Sequence, residues 1–300
     1  MGVTKNHRLT GILAVAIASS MWGTVGPIVQ LYPEGTAFQY AAARNVFGVA
    51  ALWIMVLLLK QKTRYTKQDI APMLMGAVGT AAFMPFYTLG FQRAGVAVAA
   101  IVAIGSAPIF TGIVSRVLFK RTPGRAWFIG TGLAVAGIVL LNAPSGDTTV
   151  NLAGVFFASV CGLAYSFQAT GMEMLSRRHH PVQSVAPIWT IGMILQSVIV
   201  IGKDFSFLTD PLLLAGAVYG GVFTVAITFS MFTYGLKQVG SSTAVTVGLM
   251  EPITAALLGV TLLGEQLSLL GVVGIVVVLA GLVVVSRPDG VPARSVIVEP

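Results

Sequence analysis

Residues 11–23 read GILAVAIASSMWG, and residues 154–166 read GVFFASVCGLAYS. Glycine opens both stretches, and an aromatic ring, Trp22 or Tyr165, holds the same place near the end of each. Further along, YTLGFQRAG at 87–95 matches FTYGLKQVG at 232–240. Pro108-Ile109 falls on Pro252-Ile253, Gly130 on Gly274, and Ala136-Gly137 on Ala280-Gly281. The offsets are 143, 145, 144 and 144 along the whole chain. Apolar helices use few residue types, so single matches arise by chance. A nearly constant offset across four separate helices does not, and the chain reads as a duplication.

Composition says where the two copies reside. The 300 residues include 18 lysines and arginines and 10 acidic residues, so 9% of the chain is charged against about a quarter in soluble domains. Hydrophobic residues reach 56% and the mean hydropathy is +0.88. A soluble globule cannot hide that much apolar surface, and a disordered chain needs the opposite balance. The lipid bilayer is the expected partner. A spanning helix takes about 20 apolar residues, and ten such runs are expected at 9–29, 37–59, 70–91, 96–118, 127–143, 152–174, 183–202, 211–235, 242–263 and 270–286. Turn formers and charges gather in the breaks: Tyr32-Pro33-Glu34-Gly35, 60–69, Thr122-Pro123-Gly124, Pro144-Ser145-Gly146-Asp147, 176–181 and 203–211. Continuous apolar runs exclude a β-barrel, whose strands alternate. The fold class expected is an all-α membrane protein of ten transmembrane helices, with one five-helix repeat at 9–143 and the second at 152–286. The first run has the basic start and small-residue triplet of a leader peptide. It is long and has a partner in the second copy, so it is kept as a helix.

Orientation follows from the basic residues. With the N-terminus in the cytoplasm, fourteen of the eighteen lie inside: Lys5, Arg8, Lys60, Lys62, Arg64, Lys67, Lys120, Arg121, Arg125, Arg177, Arg178, Lys237, Arg287 and Arg294. Outer loops hold Arg93 and Lys203, along with Glu34, Asp147, Asp204, Asp210 and Glu265, while Arg44 and Arg116 fall inside spans. The positive-inside rule then puts both termini in the cytoplasm, in an inner or plasma membrane. The net charge of +8 is thus a topology signal, and no nucleic acid is expected as a partner.

Five spans per copy is an odd number, so the second copy enters the membrane upside down relative to the first. Two inverted copies pack about a pseudo-two-fold axis in the membrane plane, and rocking of one against the other exposes their shared centre to each side in turn. That is the logic of a secondary transporter. Enzymatic readings fare poorly. The chain has no His-Glu-x-x-His, no Gly-x-Ser-x-Gly, no P-loop and no histidine within a span. A single cysteine, Cys161, removes disulfide frameworks and cysteine metal sites. His179-His180 reads as a solvated loop rather than a metal site, so no metal or cofactor is expected.

Trp22-Gly23, Arg44-Asn45, the link Gly90 to Gly95, Pro108, and Met250-Glu251-Pro252 followed by Leu263-Gly264-Glu265 carry a resemblance. Over residues 9–286 the chain resembles the drug/metabolite transporter superfamily, and within it the EamA-type exporters of two five-helix repeats. The resemblance implies ten helices, export of small metabolites such as amino acids, a central cavity walled by both halves, and no use of ATP.

Ionisable groups within a span need a reason to be there. Glu251 falls near the midplane of the ninth span; its counterpart in the first copy is Ala107. It reads as a partner for a substrate amine, as a proton-coupling carboxylate, or as a structural tie for a helix opened by Pro252. Arg44, beside Asn45, reads as a fork for a substrate carboxylate, as a partner of Glu251, or as a cap on helix carbonyls. Pro108 and Pro252 are expected to break the fourth and ninth helices as hinges. Trp22, Phe86, Tyr87, Tyr165, Gln168, Trp189, Gln196, Tyr219 and Tyr234 gather at mid-span and suit a cavity that holds and releases a small molecule. The substrate site expected from these comprises Trp22, Arg44, Asn45, Tyr87, Tyr165, Gln168, Tyr219, Tyr234 and Glu251. Trp53, Trp127 and Tyr40 read as interface-belt residues. Glu173 and Arg177 read as a surface pair one turn apart. The small-residue faces Gly130/Ala134, Gly132/Ala136 and Gly271/Gly274 allow close helix approach within the bundle or between protomers, which leaves a homo-oligomer open. The expected function is secondary active export of a small metabolite, the alternatives being a passive facilitator or channel, an importer, or a sensor.

Overall fold

The computed structural model describes residues 5–60, 63–142, 151–264, 266 and 268–287. Lys62, the loop at 144–147, Glu265 and Arg294 lie outside the described residues. Among the described residues ten apolar helices follow one another. They are α1 (Lys5–Trp22, resuming as the single turn Val25–Val29), α2 (Ala37–Leu58), α3 (Lys67–Ala94), α4 (Val96–Phe119), α5 (Arg125–Leu141), α6 (Leu152–Ser176), α7 (Pro181–Ser197), α8 (Pro211–Val239), α9 (Ser241–Val247 and Met250–Leu263) and α10 (Leu269–Ser286). Among the described residues nine are long and apolar enough to cross a membrane, and α5 is shorter at 17 residues, about 25 Å. Among the described residues there is no strand.

Local chemistry sets the ends. The Asn151 and Asp210 side chains accept from the first free N–H groups of α6 and α8, and the Ser268 hydroxyl does so for α10. Asp69 closes a capping box by accepting from the Thr66 N–H at 2.8 Å. The α3–α4 and α8–α9 links turn on Gly95 (φ 82, ψ 163) and Gly240 (φ 80, ψ 158), a left-handed pair that only glycine adopts without strain. The same conformation at equivalent places in both copies is the duplication seen in the backbone.

Packing shows how the copies are related. A Cβ at Gly130 would lie 2.7 Å from the Gly281 carbonyl oxygen, and one at Gly137 would lie 2.7 Å from that of Gly274. Since Gly130 corresponds to Gly274 and Gly137 to Gly281, the α5–α10 contact exchanges partners as a two-fold axis requires. The same exchange holds for Gly48 on Val225 against Gly192 on Thr80, and for Gly90 on Ala158 against Gly235 on Val15. α2 therefore packs on α8 as α7 packs on α3, and α1 on α8 as α6 on α3. Two inverted five-helix repeats clasp each other, and side chains between helix pairs must be absent where the backbones touch.

The two ends of the bundle differ. One carries Lys60, Lys120, Arg121, Arg125, Arg177, Arg178 and Lys237 and is called here the basic end. Near it every residue of 168–173, 181–189 and 244–249 is buried. Toward the opposite end residues 81–89 of α3 are all partly exposed, as are Met250, Glu251 and Pro252 of α9. The interior is closed at the basic end and loosened at the other.

Several expectations are corrected. Pro108 does not break α4, which runs as one helix from Val96 to Phe119, although the proline can offer no N–H to the carbonyl four residues earlier. Tyr40 and Trp127 are buried rather than interfacial. The Trp127 indole N–H finds the Ser242 carbonyl at 3.1 Å, and the Tyr40 ring packs on Tyr32 at 4.5 Å. Trp53 keeps its partly exposed place and donates to the Thr190 hydroxyl. His179 is not solvated, for its Nε2 lies 3.2 Å from the buried Asp69 carboxylate and its ring 5.1 Å from Tyr65. Burial, and then the nearby Lys237 charge, hold the His180 imidazole below its usual range.

Candidate functional site

The site grows out of two broken helices. α1 stops at Trp22, and Gly23 in the break lies against the second piece of α9, where a Cβ would sit 2.9 Å from the Glu251 carbonyl oxygen. α9 breaks between Val247 and Met250. Pro252 has no N–H to offer the Gly248 carbonyl four residues earlier, and that carbonyl takes the Glu251 N–H instead, at 3.0 Å. The break thus falls upstream of the proline, with Glu251 in the first turn of the resumed helix.

Arg44 reaches the same region from α2. α8 makes room for it at Gly220, where a Cβ would sit 2.9 Å from the Arg44 Cδ and Cγ atoms. From Gly220 to Ile227 the helix widens to a π turn, a feature common at functional sites. There the Thr224 carbonyl accepts the Trp22 indole N–H at 3.0 Å, tying the end of α1 to α8.

The charges are the unusual part. Glu251 is enclosed by protein yet keeps accessible surface, and its carboxylate makes no hydrogen bond among the described residues. The Arg44 Nε is buried and equally unpartnered. Each acts electrostatically on the other, and the Glu251 charge also reaches Tyr87, Tyr165 and Cys161. The two do not meet in a contact ion pair: among the described residues all such pairs involve Glu173 or Asp69, at the basic end. Two side chains of opposite charge type thus lie in the same part of the membrane interior, within electrostatic reach of one another but not in contact.

A run of aromatic rings packs in the same region. Trp22 packs on Phe229 at 4.7 Å and meets Tyr165 edge-on at 6.3 Å. Phe83 links Tyr165, at 6.0 Å, to Tyr87, at 6.1 Å. Tyr219, hydrogen-bonded to Thr24 at 3.0 Å, lies with Tyr40 on the Arg44 side. The structure therefore brings Trp22, Arg44, Tyr87, Tyr165, Tyr219 and Glu251 to one region. It sets others apart. Asn45 donates to the Gln196 side chain at 2.6 Å in a buried α2–α7 pair, and Gln168 donates to the Thr80 hydroxyl at 2.8 Å between α6 and α3. Tyr234 is 38% exposed on the outer surface of α8. Trp189 is buried against Phe229, and Phe86 packs on Phe157.

The sequence pattern that defines the EamA-like transporter family matches residues 9–143 and, a second time, residues 152–287. The chain belongs to that family. Its similarity to the "Uncharacterized transporter YwfM" of Bacillus subtilis (strain 168) is 32% identity over 276 residues, 91% of this chain and 93% of that one. The "Uncharacterized inner membrane transporter YicL" of Salmonella typhimurium is 22% identical over 98% of this chain and the whole of its own length. A solved crystal structure superposes with a TM-score of 0.78 at 18% identity, covering 94% of this chain and 98% of that one, and so shares the fold. Like the rest of the EamA-like family, this is a multi-pass membrane protein, and transport is its function.

Two features of this family member escape sequence reasoning. The π turn at Gly220–Ile227 was signalled only by its Gly220-Gly221 pair. Glu173, expected at the surface, is buried, because besides Arg177 it takes Arg121 and a backbone N–H from across the bundle.

Proposed function

We propose that this chain is a secondary active transporter that exports small zwitterionic metabolites, amino acids above all, from the cytoplasm. The basic end faces the cytoplasm in this reading, as the lysine and arginine bias favours, and the membrane is the inner or plasma membrane. The observation that carries the substrate class is the unpaired couple of Arg44 and Glu251 in the bilayer interior. Opposite charges left apart in such a medium are costly, and a molecule bearing both a carboxylate and an ammonium satisfies both at once. The guanidinium fork suits the carboxylate, Glu251 the ammonium, and the rings of Trp22, Tyr87 and Tyr165 an apolar side chain. The two inverted halves rock about this site, and protonation of Glu251 couples the cycle to the proton gradient.

The test is uptake into inverted vesicles against a panel of amino acids, nucleosides and cationic drugs, with and without a pH gradient. Saturable uptake of amino acids is expected, and Arg44→Ala should raise their KM at least tenfold while affecting carboxylate-free amines far less. Equal losses for both substrate types would remove Arg44 from carboxylate binding.

A further inference from the structure

The basic end is fastened by polar contacts that run from one repeat to the other. Glu173, on α6 of the second repeat, is 2% exposed and accepts three donors. They are Arg121 of the first repeat at 3.0 Å, Arg177 at 2.6 Å, and the Ser241 N–H at the α8–α9 link at 2.7 Å. Beside it the Ser115 and Ser241 hydroxyls pair at 3.0 Å, the Trp127 indole donates to the Ser242 carbonyl at 3.1 Å, and Thr131 pairs with Thr246 at 3.0 Å. In each of these the first residue belongs to the first repeat and the second to the second. A short row of buried hydrogen bonds thus holds α4, α5 and the Arg121 segment to the first piece of α9.

The repeat relation shows what the opposite end can offer when its turn comes to close. Glu173 corresponds to Gln30, Ser241 to Val96, Ser115 to Gly259, Trp127 to Gly271 and Thr131 to Ile275. By the same offsets Arg121 corresponds to Glu265 and Arg177 to Glu34, so the lock's carboxylate becomes an amide and its two guanidinium donors become acids, and no ion pair can form among Gln30, Glu34 and Glu265; the three hydroxyl and indole bonds lose their side chains as well. Buried hydrogen bonds to a charged group are worth more than neutral ones, and a carboxylate stripped of its donors in the interior is strongly penalised. The two closed states are therefore held by unequal means: the charge-paired lock of the basic end has no equivalent at the other.

We propose that Glu173 is the positioning residue that sets the resting state of the transport cycle: it locks the basic end shut, and access from that side requires it to release Ser241 and Arg121 together. Closure of the basic half and loosening of the opposite half, seen over residues 81–89 and 244–249, is the arrangement this lock produces. The proposal rests on the alternating-access reading above.

The test uses cysteine accessibility in the full chain with Cys161→Ser as background. Ser115→Cys reports on the basic end, where it is buried, and Thr24→Cys on the opposite vestibule. With Glu173→Gln, labelling of position 115 by a membrane-impermeant maleimide applied from the basic side should rise at least fivefold, while labelling of position 24 from the other side falls. Arg121→Gln, which removes one of the three donors to Glu173, should move both in the same directions by less. Position 115 remaining unlabelled in both variants, or both positions becoming more reactive together, overturns the lock. If amino acids added to the wild-type sequence in this background leave both labels unchanged, the alternating-access reading itself fails. If they move the labels reciprocally but Glu173→Gln does not, only the lock fails.

Discussion

Glu251→Gln abolishes proton-driven transport: the initial rate under an imposed pH gradient falls at least tenfold, and the residual flux no longer responds to the gradient. Glutamine keeps the size of the side chain and its capacity for hydrogen bonds but cannot bind and release a proton. Among the described residues nothing else in the region replaces it. The position equivalent to Glu251 in the first repeat is Ala107, and among the described residues the remaining buried acids, Asp69 and Glu173, are held in ion pairs at the basic end. The substitution should leave the fold intact, since the carboxylate makes no hydrogen bond that amide chemistry would lose. The measurement is the pH profile of uptake for the wild type and the variant side by side. A variant with the wild-type rate and profile removes Glu251 from coupling.

Gly79→Ala should be the most damaging small substitution in the bundle. A Cβ there would lie 2.6 Å from the Gln168 nitrogen and closer still to the Ala164 carbonyl oxygen, so α3 and α6 must separate along their length. Both obstacles are backbone and neither can rotate away. Overpacking of this kind costs about 3 kcal/mol, read as a lower Tm in detergent and loss of the monodisperse peak in size exclusion. Gly132→Ala is the control, for nothing lies within 4 Å of its added methyl, and a helical alanine is worth about 0.5–1 kcal/mol over glycine. Equal stability of the two variants would mean that the α3–α6 crossing is drawn wrongly.

The sequence made the architecture legible because membrane helices are written in long apolar runs and because duplication leaves a constant offset. The exchange of Gly130–Gly281 for Gly137–Gly274 is that offset turned into packing. The centre of the site was legible for a related reason. A carboxylate before a proline and an arginine within a span are rare enough to stand out, and Glu251 and Arg44 lie within electrostatic reach of one another. Polar residues with amide tips were less readable. Asn45, Gln168 and Gln196 look like cavity residues in a helical run, yet a buried amide needs a partner and each finds it in a neighbouring helix. Pro108 and Pro252 are sequence equivalents, but only α9 breaks, at Gly248–Leu249. Tertiary packing decided between them. Glu173 was unreadable for the same reason: its spacing to Arg177 suggests a surface pair, and only the return of the Arg121 segment and the Ser241 N–H across the bundle buries it.

The central claim is that a single pocket between inverted halves carries its cargo by opening to one side at a time. Counterflow tests it most directly. Vesicles preloaded with unlabelled amino acid and diluted into a trace of labelled substrate should accumulate label transiently above equilibrium, because each return of the loaded site brings label in with it. Label that only rises to its equilibrium level, at a rate unaffected by preloading and linear in concentration, would contradict a carrier and leave an open pore.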